Sequence, residues 1–211
     1  MFISMEGIDG AGKSTQAVLL LNALLARGQK AVLTREPGGT SLGGRLRQLL
    51  LSPEFPDETP EPLTELLLML ADRAQHVSKY IKPILAQGIT VISDRYSDST
   101  FAYQFSARNT ISLRGLQEIN YILNFPLPLL TFLLDLPVEI ANARIKEKNH
   151  LETDLGFQQR VRMGYLKLAN PYEKKMGAPF HQRIYTIDAT LPIEEQHQQI
   201  LNIYDKYTKE Q

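Results

Sequence analysis

Apolar residues recur along this chain in two rhythms. Five short runs are almost continuous: Phe2–Met5, Lys30–Thr34, Ile89–Asp94, Leu129–Asp135 and Arg183–Asp188. Hydrophobicity without strict alternation marks strands covered on both faces, as in a parallel sheet. The segments between them carry apolar positions at helical spacing. Strands alternating with helices along the chain predict an α/β fold of three layers, a five-stranded parallel sheet flanked by helices.

The first helix starts near Lys13 and carries Ala17–Leu21, with Gly28 as its stop. Leu42–Leu51 reads as a short helix, and the proline- and acid-rich Ser52–Pro62 as a loop. A long helix covers about Leu63–Gln87, with Leu63, Leu66, Leu67, Leu70, Ala74, Val77 and Ile81 forming one apolar stripe. Met69, Arg73, His76 and Tyr80 line a flank roughly 100° away, by helix geometry. That flank either faces a ligand or leaves Arg73 on the surface; periodicity does not decide. Ser97–Phe105 is helical or turn-like, Ser112–Asn124 is a helix stopped by Pro126, and Pro137 opens a helix to about Lys148. From Asp154 another long helix places Phe157, Val161, Leu168 and Tyr172 on one face. Pro179 breaks the chain, and Ile193 to about Tyr207 forms a final helix.

Chemistry enters at the first strand–helix junction. Gly7, Gly12, Lys13 and Ser14 fill G-x-x-x-x-G-K-[ST], the spacing of a phosphate-binding loop. Glycines let successive N–H groups point at one anion, Lys13 adds a flexible charge, and a hydroxyl at Ser14 suits Mg²⁺ held between phosphates. The helix N-terminus adds its partial positive charge. Strand-end Asp94 fits a partner for the same ion, or else a cap for the next helix. Arg35, Arg73 and Arg95 fall at separate points of the ligand edge. One triphosphate needs few of them, whereas a second phosphorylated substrate would use them all. Arg35-Glu36 taken alone reads first as a solvated ion pair, and the basic run Arg144–His150 as a solvated helix end complementing the dipole.

Composition narrows the partners. Lys+Arg and Asp+Glu are 23 each, and no block of like charge suggests a nucleic acid or a membrane surface. There is no cysteine, so disulfides and thiolate metal sites are excluded. Glu6 and Asp9 stand where a signal peptide would be apolar, and Leu127–Leu134 is too short to span a bilayer. A cytoplasmic protein is expected.

Taken together, Gly7–Thr15, Thr34–Thr40, Arg73, and Asp94-Arg95-Tyr96 with Ser99 and Ala102-Tyr103-Gln104 make the chain resemble the bacterial thymidylate kinases over essentially its full length. The resemblance implies a P-loop kinase fold, one domain over 1–211 with a short mobile lid at about 144–155, commonly in a homodimer. It implies the reaction ATP + dTMP to ADP + dTDP with Mg²⁺. Gly7, Ile8, Asp9, Gly10, Ala11, Gly12, Lys13, Ser14 and Thr15 would hold ATP, and Ser14 and Asp94 the metal. Asp9, Glu36, Pro37, Met69, Arg73, Arg95, Ser99, Tyr103 and Gln104 would line the dTMP site. Within it, Arg95 would hold the phosphate, Arg73 the thymine edge, Gln104 the base side, and Tyr103 the space a ribose 2′-hydroxyl would need. Lys13, Arg95, Asp9 and Arg144 would carry catalysis. Family members with glycine at the Gly10 position usually keep the catalytic arginine in the lid, which points to Arg144 and its neighbours.

This sequence departs from the family pattern in three places. Met69 stands where a phenylalanine often stacks on thymine. Phe105 and Ser106-Ala107-Arg108 replace a Gly-rich segment. The lid is short, with Lys146, Lys148 and His150 where arginines are common. Competing expectations are a kinase for another nucleoside monophosphate, which Arg73 and Tyr103 oppose, a P-loop ATPase that switches a partner, and an inactive nucleotide binder.

Overall fold

The computed structural model describes residues 1–51, 60–145, 154–170 and 183–209. Among them, β1 (Phe2–Glu6), β2 (Ala31–Arg35), β3 (Thr90–Asp94), β4 (Leu130–Asp135) and β5 (Ile184–Asp188) form one parallel sheet in the order β2-β3-β1-β4-β5. β1 lies in the middle, so all five of its residues are buried. Even its polar members find partners inside: Ser4 Oγ lies 2.8 Å from Thr131 Oγ1 on β4. The register sets Met5 beside Asp94 and Phe132, and Arg35 beside Asp94. The ends of β1, β2 and β3 therefore reach one edge together, the edge where open α/β sheets bind ligands.

The helices are α1 (Lys13–Ala26), α2 (Ser41–Leu51), α3 (Pro62–His76), α4 (Lys82–Ala86), α5 (Ser97–Thr100), α6 (Leu113–Leu123), α7 (Val138–Arg144), α8 (Leu155–Ala169) and α9 (Ile193–Lys209). The main core joins Leu20 and Leu24 of α1, Ile200 and Tyr204 of α9, and Phe157 and Val161 of α8 to Ile3, Met5, Phe132 and Leu134 of the sheet. Each such side chain contributes about 1.5–3 kcal/mol on burial. A smaller cluster of Phe2, Val77, Ile81, Val91 and Tyr96 seats the long helical run against the sheet.

Two expectations are corrected here. The long helix is continuous from α3 to α4, but through a π-helical turn, Val77–Ile81. Its expected stripe holds inside at Leu66, Leu70, Val77 and Ile81, but Leu63 and Leu67 are 58% and 57% exposed. Beside Leu66 and Leu70, the buried residues of α3 include Glu65, Asp72, Arg73 and His76. Hydrogen-bonding partners on the neighbouring loops make that burial tolerable. The helix expected to run to Lys148 stops at Arg144, where β-branched Ile145 turns extended. Residues 146–153, most of the expected lid, lie outside the described residues, as do Tyr172 and Pro179.

Candidate active site

The phosphate-binding loop links β1 to α1. Asp9–Thr15 line a cleft of about 640 Å³ together with Arg35, Arg47, Asp94, Arg95 and Arg144, closed at its far end by Leu191–Ile193. Gly7 and Ile8 lie beneath it; the Ile8 side chain belongs to the core and its carbonyl accepts from Lys13 Nζ at 2.8 Å. Lys13 Nζ is also 3.7 Å from Asp9 Oδ1. Burial and the nearby Arg95 charge lower the Lys13 pKa, while Asp9 and Asp94 work the other way. Ser14 Oγ donates to Asp94 Oδ2. Asp94 therefore does not cap α5, whose N-cap is Tyr96 with no side-chain bond.

A second cavity, about 100 Å³, opens beside the loop and is lined by every residue expected to touch the second substrate: Asp9, Glu36, Pro37, Met69, Arg73, Arg95, Ser99, Tyr103 and Gln104. The open question about Arg73 is answered by its burial: it is 2% exposed. Its Nε donates to Glu36 Oε2 at 2.7 Å, Nη1 to Thr100 Oγ1 at 2.8 Å and Nη2 to the Tyr96 carbonyl at 3.1 Å. Glu36 is thus paired with Arg73 rather than with Arg35, which faces the phosphate cleft. Gln104 donates to Glu65, whose other oxygen pairs with Arg108 at 2.8 Å. Arg108 thus gives the unusual Phe105–Arg108 segment a local task, holding the carboxylate that accepts from cavity-lining Gln104.

The two cavities meet at Asp9 and Arg95. Arg95 Nη2 lies 2.5 Å from Asp9 Oδ1 and 3.2 Å from Tyr103 OH; Nη1 reaches Tyr165 OH at 3.0 Å and Ser99 Oγ at 3.3 Å. Burial alone would raise the Asp9 pKa, but Arg95 and Lys13 hold the carboxylate below its usual range. Burial opposes the Arg95 charge too, but Asp9, Tyr103, Tyr165 and Glu6 together outweigh it and raise its pKa. Arg95 adopts a left-handed backbone, φ 71. Such a conformation costs on the order of 1–3 kcal/mol in a non-glycine residue. It is held by Arg95 N donating to the Met5 carbonyl and Ser93 Oγ donating to the Arg95 carbonyl.

Sequence reasoning missed the supports beneath this pair. Glu6, fully buried, accepts from Tyr96 N at 2.8 Å, Ser99 Oγ at 2.7 Å and Tyr165 OH at 2.9 Å. Burial and the Asp98 charge push its pKa up to about 7, against Arg95 and those hydroxyls. Arg47 of α2, also missed, lines both cavities and donates to the Pro37 carbonyl at 3.0 Å. The available signal was its place in the first helix after the Arg35–Thr40 loop. Arg144 donates to the Ala189 carbonyl at 3.1 Å and is therefore tied to the β5–α9 turn, not simply solvated.

A phosphate-binding loop on a sheet of this order, with two cavities that share Asp9, Glu36, Arg47 and Arg95, marks a P-loop kinase. Comparison with known proteins agrees. Residues 5–200 match the family model described as thymidylate kinase. The thymidylate kinase of Synechococcus sp. (strain JA-2-3B'a(2-13)) is 47% identical over 171 residues, 80% of this chain and 81% of that protein. That of Thermosipho africanus (strain TCF52B) is 39% identical over 214 residues, 98% of each. The crystal structure of thymidylate kinase from Ehrlichia chaffeensis aligns with a TM-score of 0.74 at 34% identity, covering 97% of this chain and 98% of that one. The chain belongs to the thymidylate kinase family.

Proposed function

We propose that this chain transfers the γ-phosphoryl group of ATP to dTMP, giving ADP and dTDP. The meeting of the phosphate cleft and the arginine-lined cavity at Asp9 and Arg95 carries this reading. ATP lies along Asp9–Thr15, with Lys13 on the β- and γ-phosphates. Arg95 takes the acceptor phosphate as a fork, which requires it to share or release Asp9. Arg73 turns its two uncommitted N–H groups, of the five a guanidinium carries, to the thymine edge. Met69 lies one turn before Arg73 on the same flank and supports the ring. Tyr103, bonded to Asp9 at 3.2 Å, occupies the side of the sugar and disfavours a 2′-hydroxyl.

Ser14 and Asp94 fit Mg²⁺: they are hard oxygen donors already in contact, and Mg²⁺ uses one or two protein oxygens alongside phosphates and water. When bound, the ion offsets charge on the phosphate oxygens. Arg144, at the mouth of the lid segment, supplies positive charge to the transferring group once freed from Ala189. A single domain over 1–211 with the lid at 144–155 belongs to the same proposal. So does a homodimer, in which exposed Leu42 and Leu49 of α2 and Leu63 and Leu67 of α3 meet a second copy. A cytoplasmic location suits these substrates, and among the described residues no helix is long and apolar enough to cross a membrane.

The test is coupled ADP release with Mg-ATP and a panel of nucleoside monophosphates. dTMP should be turned over fastest, dUMP more slowly and ribonucleotides least. ADP release at the same rate without any acceptor would replace the kinase with an ATPase.

A further inference from the structure

Arg73 is not set by its own helix. Its Nε bonds one oxygen of Glu36, while the other oxygen of Glu36 is 2.9 Å from Nδ1 of His76, one turn further along α3. The opposite ring nitrogen, Nε2, is 2.7 Å from Thr34 Oγ1 on β2. Thr34, His76, Glu36 and Arg73 thus form one unbroken polar chain from the sheet to the cavity. All four are buried, and only the Arg73 and Glu36 end lines the cavity. A carboxylate accepts only, so Nδ1 carries the hydrogen toward Glu36.

The imidazole is also locked in place. A Cβ on Gly39 would overlap Nε2 and lie 2.5 Å from Cδ2 and 2.8 Å from Cε1, so the β2–α2 loop closes directly over the ring. On another side Tyr80 stacks at 5.8 Å between centroids and 27° between planes. Asp72, next to Arg73, accepts from Gly38 N at 3.1 Å and ties down the same loop. A histidine serving only as core filler needs neither polar bond.

We infer that His76 is a positioning residue for acceptor-base recognition: anchored by Thr34, it fixes the Glu36 carboxylate, and Glu36 fixes the Arg73 guanidinium that reads the base. The inference rests on the assignment of Arg73 to the thymine edge. It also accounts for Gly39, where any side chain would push the loop off the ring.

Two substitutions separate positioning from packing. In His76→Asn the amide nitrogen sits two bonds from Cβ, as Nδ1 does, and keeps the bond to Glu36. In His76→Gln the amide matches the reach of Nε2, keeping Thr34 and losing Glu36. His76→Gln should raise the dTMP KM about tenfold, as expected for losing one hydrogen bond to a charged group, with the ATP KM unchanged within about twofold. His76→Asn should recover most of that loss at a similar Tm. In an Arg73→Ala background neither substitution should move the dTMP KM further. Equal effects of Asn and Gln, or effects that persist without Arg73, would overturn the inference. If Arg73→Ala alone leaves the dTMP KM unchanged, it is the assignment of Arg73 that fails.

Discussion

Gly10 offers a sharp test of how α7 is held against the phosphate loop. Its backbone is left-handed, φ 79, and a Cβ there would overlap the Ala141 carbonyl oxygen and lie 2.8 Å from the carbonyl carbon. Two costs follow for Gly10→Ala. The left-handed conformation costs an L-residue roughly 1–2 kcal/mol. Restoring an ordinary contact of about 3.5 Å requires the α7 backbone to retreat, adding about 1–3 kcal/mol of packing strain. The sum, about 2–5 kcal/mol, lowers Tm by roughly 4–20 °C in a chain of this size. Gly28 supplies the control, since its φ is 74 and a Cβ there meets nothing within 4 Å. Gly28→Ala pays the backbone cost alone. Because Arg144 follows Ala141 by less than a turn, the retreat also displaces the arginine assigned to the transferring phosphoryl. A shift of about 1 Å at a reacting geometry can cost a hundredfold in rate. Thermal melts and steady-state kinetics of both variants decide the matter. Equal Tm losses for the two, or an unchanged kcat in Gly10→Ala, would refute the claim that α7 rests on the loop at this point.

Two further outcomes are expected. Arg95→Ala should raise the dTMP KM at least about tenfold while the ATP KM stays within a few-fold, because a charge-assisted fork to the acceptor phosphate is lost. A normal dTMP KM with poor ATP binding would exchange the assignments. Glu6→Gln should flatten the pH dependence of stability. With the Glu6 pKa raised from 4.5 to about 7, the folded state binds more protons than the unfolded chain between those values. The wild type therefore loses on the order of 3 kcal/mol from this group as pH rises from about 4.5 through 7. Indistinguishable slopes of Tm against pH from 5 to 8 for variant and wild type would remove Glu6 as the source.

The strands were legible to within about a residue because each run is short and mostly apolar, and the central β1, β3 and β4 are covered on both faces. The phosphate loop was legible because its chemistry is local: one contiguous segment supplies the turn, the amides, the lysine and the hydroxyl. The residues expected at the acceptor came from resemblance, and they line one cavity. What stayed hidden was what supports them. Glu6 and Tyr165 are 159 residues apart, and Asp98 and Arg183, a buried pair at 2.6 Å, are 85 apart. Nothing in a local pattern links such partners. The expected stripe failed at Leu63 and Leu67 of α3 for the same reason. Period alone favoured Leu63 and Leu67, but the face toward the loops was decided by partners for Asp72, Arg73 and His76, which only the fold supplies.

A chain with equal numbers of acidic and basic groups nonetheless concentrates cations where the two cavities join. The charges there are not treated alike. Arg73 is matched by Glu36 and Arg95 by Asp9. Arg35 and Arg47 have no carboxylate within salt-bridge distance among the described residues, although Arg47 donates to a backbone carbonyl. Burial, and then the charges of Arg35 and Arg95, lower the pKa of Arg47. The matched arginines are thereby fixed in direction, which suits reading a base edge and gripping one phosphate. The unmatched ones repel each other across the cleft, and an incoming phosphate relieves that repulsion. Apart from the exchange at Asp9 and the release of Arg144, the charges that meet the phosphates already stand in the cleft, so part of the electrostatic work of binding is done in advance by the fold. The same neutral total keeps this field local, so the attraction acts on small phosphorylated ligands inside the cleft and not on polyanions at the surface.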